Sequence, residues 1–314
     1  MRTPLDPQLE SLLASPEYRA LPPWHSLSIE AARTLEDELF SGDRSPPVED
    51  VVDVAIPGPA GELPVRIYRT GDGLRPALVY YHGGGWTLGT LDSVDGICRE
   101  LATRTDAVVV SVDYRLAPEH PFPDPLEDAI AALEWVAEHA DSIGVDRDRL
   151  GVAGTSAGGN LAAATARYVT AVGGPSLSQQ VLLYPMIDCP LAPVVDEAAV
   201  DGPLLSRADV RWFWEQYLRH PVDGWNPFAS LLRASHEADL PPTTVVTCGH
   251  DPLCPEGIAY AEALADADVD VAHEHCPSLP HGALSLVDDV DRAEEAMAAV
   301  AATVRSRFAT VASN

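Results

Sequence analysis

The sequence predicts an α/β protein: a mostly parallel central β-sheet with helices packed on both faces. Three observations carry that expectation. Short, near-continuous apolar runs such as Ala77 to Tyr81, Ala107 to Val112 and Gln180 to Tyr184 have the composition of strands buried on both sides. Helix-period segments alternate with these runs from Val94 onward. Two glycine-rich turns, at residues 83–85 and around Ser156, fall where strands end, the edge at which open α/β sheets bind ligands.

Taken in order, Thr3 to Gly42 reads as two helices, with Leu9, Leu12 and Leu13, then Ile29, Ala32, Leu35 and Leu39, at helical spacing on either side of Leu21-Pro22-Pro23-Trp24. Val51 to Ile56 and Leu63 to Tyr68 alternate around Pro57-Gly58-Pro59-Ala60-Gly61 and predict an antiparallel hairpin. The strand Ala77 to Tyr81, the helix Val94 to Thr105 and the strand Ala107 to Val112 form a βαβ unit. A helix over Pro125 to Ala140 follows, then a strand at Leu150, an Ala-rich helix after Gly159 and the strand Gln180 to Tyr184. Residues 188–226 break the alternation: they are acidic and Pro-punctuated, with one amphipathic helix from Leu205 to Leu218. Regular order returns with the strand Thr243 to Cys248, the helix Pro255 to Asp266, the strand Val269 to Cys276 and a last helix from Val287 to Phe308.

With 314 residues, 46% of them hydrophobic, the chain can bury a substantial core as one large domain or two small ones. Forty-eight acidic residues face 20 basic ones, all Arg, for a net charge of −28. Such a surface repels nucleic acid, so none is expected as a partner. It also repels itself in dilute buffer and is relieved by screening, with a Debye length of about 3 Å at 1 M salt, which suits a salt-rich, halophilic cytoplasm. A GC-rich genome in which Arg displaces Lys is the competing explanation. No apolar run reaches the roughly 18 residues of a membrane span, and no basic-then-apolar leader opens the chain, so neither membrane nor export is expected. Five cysteines, an odd number, point to reduced thiols.

Ser156 occupies the centre of G-x-S-x-G at a strand-turn-helix junction. A nucleophile there is held in a strained conformation with its hydroxyl clear of the sheet, and residues lacking a Cβ, Gly154 and Gly158, are needed beside it. The Ala157 N–H, at a helix N-terminus, is an oxyanion donor. The pattern alone arises by chance in roughly one chain in ten of this length. His82-Gly83-Gly84-Gly85-Trp86 is much rarer, about a few chains per thousand, and its glycines let backbone N–H groups turn into the cleft. A serine also needs a base and an orienting carboxylate. Asp251 follows the strand Thr243 to Cys248 and His281 follows the next one, in the order Ser, Asp, His expected of such a sheet. His250 adjoins Asp251 too closely to fold back on it. His273 and His275 share one strand face, where core or hydrogen-bonding roles fit better than a metal pair. His120, His139, His220 and His236 fall in loops or on helix faces. No metal and no cofactor are expected.

With Asp113-Tyr114-Arg115-Leu116-Ala117-Pro118-Glu119-His120, Asp251-Pro252-Leu253 and His281-Gly282 added, nearly the whole chain resembles the hormone-sensitive-lipase-like α/β-hydrolases, the family IV carboxylesterases. The resemblance implies an α/β-hydrolase core (residues 46–187 and 226–314) under a helical cap (residues 1–45 and 188–225). It implies a triad of Ser156, Asp251 and His281, with oxyanion donors at Gly84, Gly85 and Ala157. His82 and Asp113 to Glu119 would support the loop from beneath. The implied activity is hydrolysis of short- to medium-chain, small-molecule esters; a cytoplasmic location, the default without a leader or span, and a monomer or homodimer are expected. Trp86, Trp212, Phe213 and Trp214 are candidates for the substrate pocket, each equally placed for plain packing. Three departures stand out: Thr155 in place of Asp, Ala283 in place of Phe, which should loosen the acyl side, and Cys254-Pro255 in place of Arg-Asp. A Cys254 to Cys276 disulfide is considered, since the two loops must converge. An amidase or peptidase of this fold is the rival reading; the large propeller domain of the oligopeptidases has no counterpart in the sequence, and comparing an acyl ester with its amide separates the two. The related plant gibberellin receptors lack the triad His that is present here.

Overall fold

In the computed structural model, which describes residues 3–42, 46–191, 200–235 and 239–311, one eight-stranded sheet organises the chain in the order β1-β2-β4-β3-β5-β6-β7-β8. β1 (Asp50–Gly58) and β2 (Gly61–Arg69) form the expected hairpin, closed where Gly58 faces Gly61. β2 runs antiparallel to β4 (Val108–Val112). From there β3 (Arg75–Tyr81), β5 (Val145–Thr155), β6 (Gln179–Leu183), β7 (Thr243–His250) and β8 (Val271–Pro280) are all parallel, so their carboxyl ends share one edge.

Strand alternation splits the core into two layers. Ala77, Val79 and Tyr81 of β3 face Leu126 and Leu133 of α5 (Asp124–Glu138) and Leu161 of α6 (Ala157–Val172). Leu78 and Tyr80 face the other way, toward Leu101 of α4 (Asp95–Thr105) and Met297 and Val300 of α9 (Asp291–Val311). Burying each such side chain stabilises the fold by about 1.5–3 kcal/mol. Eleven of the sixteen residues of α6 are buried, and most are Ala or Gly. Only side chains that small let a helix lie close enough to the sheet to seat its N-terminus behind β5. α8 (Cys254–Asp266) covers β7.

The N-terminal region is more broken than its spacing suggests. Asp6 caps α1 (Pro7–Leu13), Ser15 caps α2 (Pro16–Arg19), a 3-10 turn spans Trp24–Ser26, and Ser28 caps α3 (Ile29–Phe40). Pro16 opens α2 after the break from α1, and Pro22-Pro23 separate α2 from the 3-10 turn. A capping box between Ser206 and Asp209 opens α7 (Arg207–Tyr217). α7 is tied to the N-terminal segment by the His25 amide and Nδ1, 2.9 and 2.7 Å from Asp209 Oδ1.

Other boundaries move for identifiable reasons. β5 starts at Val145 because Asp146 to Arg149 extend along the exposed part of the strand, which looks nothing like a buried run. β8 continues to Pro280 by pairing with His250 past an irregularity in the ladder. Among the described residues no helix is long and apolar enough to cross a membrane. His236 and part of the 188–225 segment lie outside the described residues.

Candidate active site

Ser156, Asp251 and His281 are each the first residue after their strand, β5, β7 and β8, so parallel topology delivers them to one edge. Ser156 has φ 55° and ψ −118°, a conformation costing about 1–3 kcal/mol. It is held there by its N–H, which donates to Leu183 O at 2.9 Å, and by its carbonyl, which accepts from Met186 N at 3.0 Å. Asn160 locks the arrangement, donating from Nδ2 to the carbonyls of Met186 and Ala229, both at 2.8 Å. A Cβ on Gly154 would strike the Gly158 carbonyl, and one on Gly158 would strike the carbonyls of Tyr81 and His82. The glycines are therefore required by close approach of backbones, as α6 passes the ends of β3 and β5.

His281 Nε2 lies 3.0 Å from Ser156 Oγ, and Nδ1 lies 2.7 Å from Asp251 Oδ2. The other Asp251 oxygen accepts the Leu253 N–H at 2.8 Å, and the residue is 2% exposed. The Tyr184 ring meets the imidazole edge-on at 5.0 Å. With Nδ1–H donated to a carboxylate, Nε2 is free to take the serine proton.

Across from the serine, Gly84 and Gly85 adopt φ 98° and 59°, and the Gly84 carbonyl is used by Thr87 and Leu88. Among the described residues the amides of Gly84, Gly85 and Ala157 donate to no protein acceptor, which leaves them for a bound oxyanion. Beneath them His82 is fully buried, stacked on Tyr114 at 4.1 Å. Burial pushes its pKa down to about 4, so it is neutral and its Nδ1–H donates to Gly83 O at 2.8 Å. Tyr114 Oη donates to the His82 carbonyl at 2.8 Å. Arg115 forks onto the buried Asp128 at 2.8 and 2.9 Å. Arg33 of α3 binds Glu119 and the carbonyls of Thr87 and Ala117, joining the N-terminal helix to this support. Thr155 turns its hydroxyl to Tyr80 Oη at 3.0 Å.

A cavity of about 1240 Å³ opens onto Ser156 and His281. Of the four aromatic candidates, Trp212 and Phe213 line it. Trp86 and Trp214 do not: both are fully buried, with Trp86 stacked on Tyr217 at 3.9 Å and edge-on to Trp214 at 4.7 Å. The core-facing stripe of α7 is Val210, Phe213, Trp214 and Tyr217; Trp214 and Tyr217 point inward, while Val210 and Phe213 touch both core and cavity. Ala283 is fully buried and off the wall, so no widening arises from it. The five cysteines form no disulfide: Cys276 sits on β8 in register with Cys248, whereas Cys254 opens α8. His273 and His275 are exposed on β8 and both hydrogen-bond Thr247, at 2.8 and 2.9 Å.

Two cavity carboxyls escaped the sequence reading. Glu256 accepts the amides of Ile187 and Asp188 at 2.6 and 3.3 Å, with its pKa raised by burial. Glu36 of α3 is 8% exposed and its pKa is raised to about 7, chiefly by burial. On paper each is an ordinary helical Glu.

A family model described as the alpha/beta hydrolase fold matches residues 78–285. The chain is an α/β-hydrolase. This hydrolase is 47% identical over 247 residues to the carboxylic ester hydrolase LipN of Mycobacterium tuberculosis, a match spanning 76% of the hydrolase and 65% of LipN. It is 44% identical to the esterase LipI of the same organism, over 78% of each chain. Among solved structures it superposes on a hyperthermophilic esterase from Pyrobaculum calidifontis with TM-score 0.89 and 36% identity, over 97% of the hydrolase and 99% of that chain. The metagenomic carboxylesterase EstE1 gives TM-score 0.84 at 38% identity, over 90% and 98%.

Proposed function

We propose that this hydrolase is a serine carboxylesterase of the hormone-sensitive-lipase-like type, cleaving short- to medium-chain carboxylic esters through an acyl-enzyme. Ser156 attacks the ester carbonyl as His281 Nε2 takes its proton. The amides of Gly84, Gly85 and Ala157 stabilise the tetrahedral oxyanion, each worth about 100- to 1000-fold in rate. His281 then protonates the departing alcohol, and water repeats the sequence on the acyl-enzyme while Asp251 holds the imidazole tautomer and its positive charge. The observation carrying this reading is the unbroken contact chain Ser156 to His281 to Asp251, 3.0 and 2.7 Å, facing unspent glycine amides.

In this reading residues 1–45 and 188–225 cap a core made of 46–187 and 226–314, and Phe213 and Trp212 bound the acyl chain. The net charge of −28 without a lysine adds a second reading, of a cytoplasmic protein adapted to high salt. A series of p-nitrophenyl esters from acetate to decanoate, at low and molar KCl, tests both. A burst of nitrophenol stoichiometric with enzyme supports the acyl-enzyme. No turnover of any ester refutes the function, and full activity and stability in dilute buffer refute the salt adaptation.

A further inference from the structure

Among the described residues lining the cavity, six carboxylates face two guanidiniums, Arg207 and Arg211. Arg207 is 56% exposed and lies 3.7 Å from Asp201, at the solvent side. Glu36 is placed differently. It shares the inner face of α3 with Ala32, it lines the cavity together with Leu35, Leu39 and Leu88, and among the described residues no Arg or His pairs with it. Arg33, one turn earlier, is committed to Glu119 and to the carbonyls of Thr87 and Ala117. A buried carboxyl among apolar side chains, with no cation paired to it, is stabilised by whatever positive group arrives.

We propose that the cavity selects esters that carry a positive charge in the portion not being cleaved, aminoalkyl or quaternary ammonium esters, and that Glu36 holds that charge. The proposal rests on the acyl-transfer reading and names its substrate class. The apolar side chains around Glu36 accommodate the methyl or methylene groups of an ammonium, and the strongly negative surface raises the local concentration of cations. Anionic esters are disfavoured by the same charges.

The chemistry gives this preference a pH dependence. The groups bearing on Glu36 are Asp37 of its own helix, the Ser93 hydroxyl and Gly89 amide of the adjoining loop, and the Tyr114 phenol beyond that loop. With its pKa near 7, Glu36 is mostly protonated at pH 6, and a fixed cation binds the ionised form. Affinity for the cation therefore scales with the ionised fraction, which rises about tenfold between pH 6 and pH 8.

The test compares kcat/KM for 2-(trimethylammonio)ethyl acetate with that for its uncharged isostere 3,3-dimethylbutyl acetate. The ratio cancels whatever pH dependence the acyl transfer itself has, since that acts on both. It is expected to rise about tenfold from pH 6 to pH 8 and to become flat in Glu36→Gln. A flat ratio in the unsubstituted protein, or a slope that persists in Glu36→Gln, overturns the proposal. If the variant does not fold, proton release from the unsubstituted protein decides: choline binding at pH 6 should release close to one proton and 3,3-dimethylbutanol none. Equal release for both overturns it. Loss of turnover with both esters and with p-nitrophenyl acetate is a different result, which removes the esterase reading itself.

Discussion

The ring of Phe213 lies against the backbone of Gly85, filling the space that a Cβ at residue 85 would need. The helix over the cavity is thus in direct contact with the glycine loop, and one side chain connects the cavity wall to the amides proposed as oxyanion donors. Phe213→Ala should cost about 3 kcal/mol of stability and shift the ester profile toward longer acyl chains. Trp214→Ala should cost a similar amount with the profile unchanged, since Trp214 does not reach the cavity. Chemical denaturation paired with the nitrophenyl series separates the two.

Gly85→Ala meets both that ring and a φ of 59°. Its effect should fall on kcat rather than KM, by about 100-fold or more, because in the proposed mechanism the donor it displaces acts on the developing oxyanion. An equal loss in KM alone would place Gly85 outside the oxyanion site.

Gly158→Ala forces a methyl group into the carbonyls of Tyr81 and His82, backbone that has nowhere to move. We expect a loss of several kcal/mol or failure to fold, about 3 kcal/mol at the least. Ser156→Ala touches none of these contacts and should leave the melting temperature within a few degrees while removing turnover. Thermal melts of the two variants side by side are the check.

Two buried groups give stability opposite dependences on pH. His82 has a folded pKa of about 4 against 6.5, so its contribution is full above pH 6.5 and is lost as pH falls toward 4. Glu36 has a folded pKa of about 7 against 4.5, so its contribution is full below pH 4.5 and is lost as pH rises toward 7. Each window is worth about 3 kcal/mol. Glu36→Gln should therefore match the unsubstituted protein at pH 4.5 and be more stable at pH 7.5, which urea titrations at the two pH values measure.

Much of this fold is legible in the sequence because its signals are local. Alternation at Val51 to Ile56 marks a hairpin strand, an all-apolar Val108 to Val112 marks a buried one, and glycines mark the turns where chemistry gathers. Ser156, Asp251 and His281 could be placed together because parallel strands deliver their ends to a common edge. What was hidden depends on neighbours distant in the chain. Trp86 and Trp214 look like pocket aromatics until α7 folds over the first glycine loop and buries both. Glu36 looks like a solvated helix residue until Leu88 and Gly89 close over it. The strand at Val145 is disguised by its charges, and the continuation of β8 from Cys276 to Pro280 is hidden because the ladder irregularity that permits it leaves no trace in composition.

The central claim is that Ser156 is the nucleophile. Treatment with a fluorophosphonate followed by peptide mass spectrometry tests it most directly: one adduct per chain, on Ser156, with activity lost in proportion to labelling. An adduct on another residue, or ester turnover undiminished in Ser156→Ala, would contradict it.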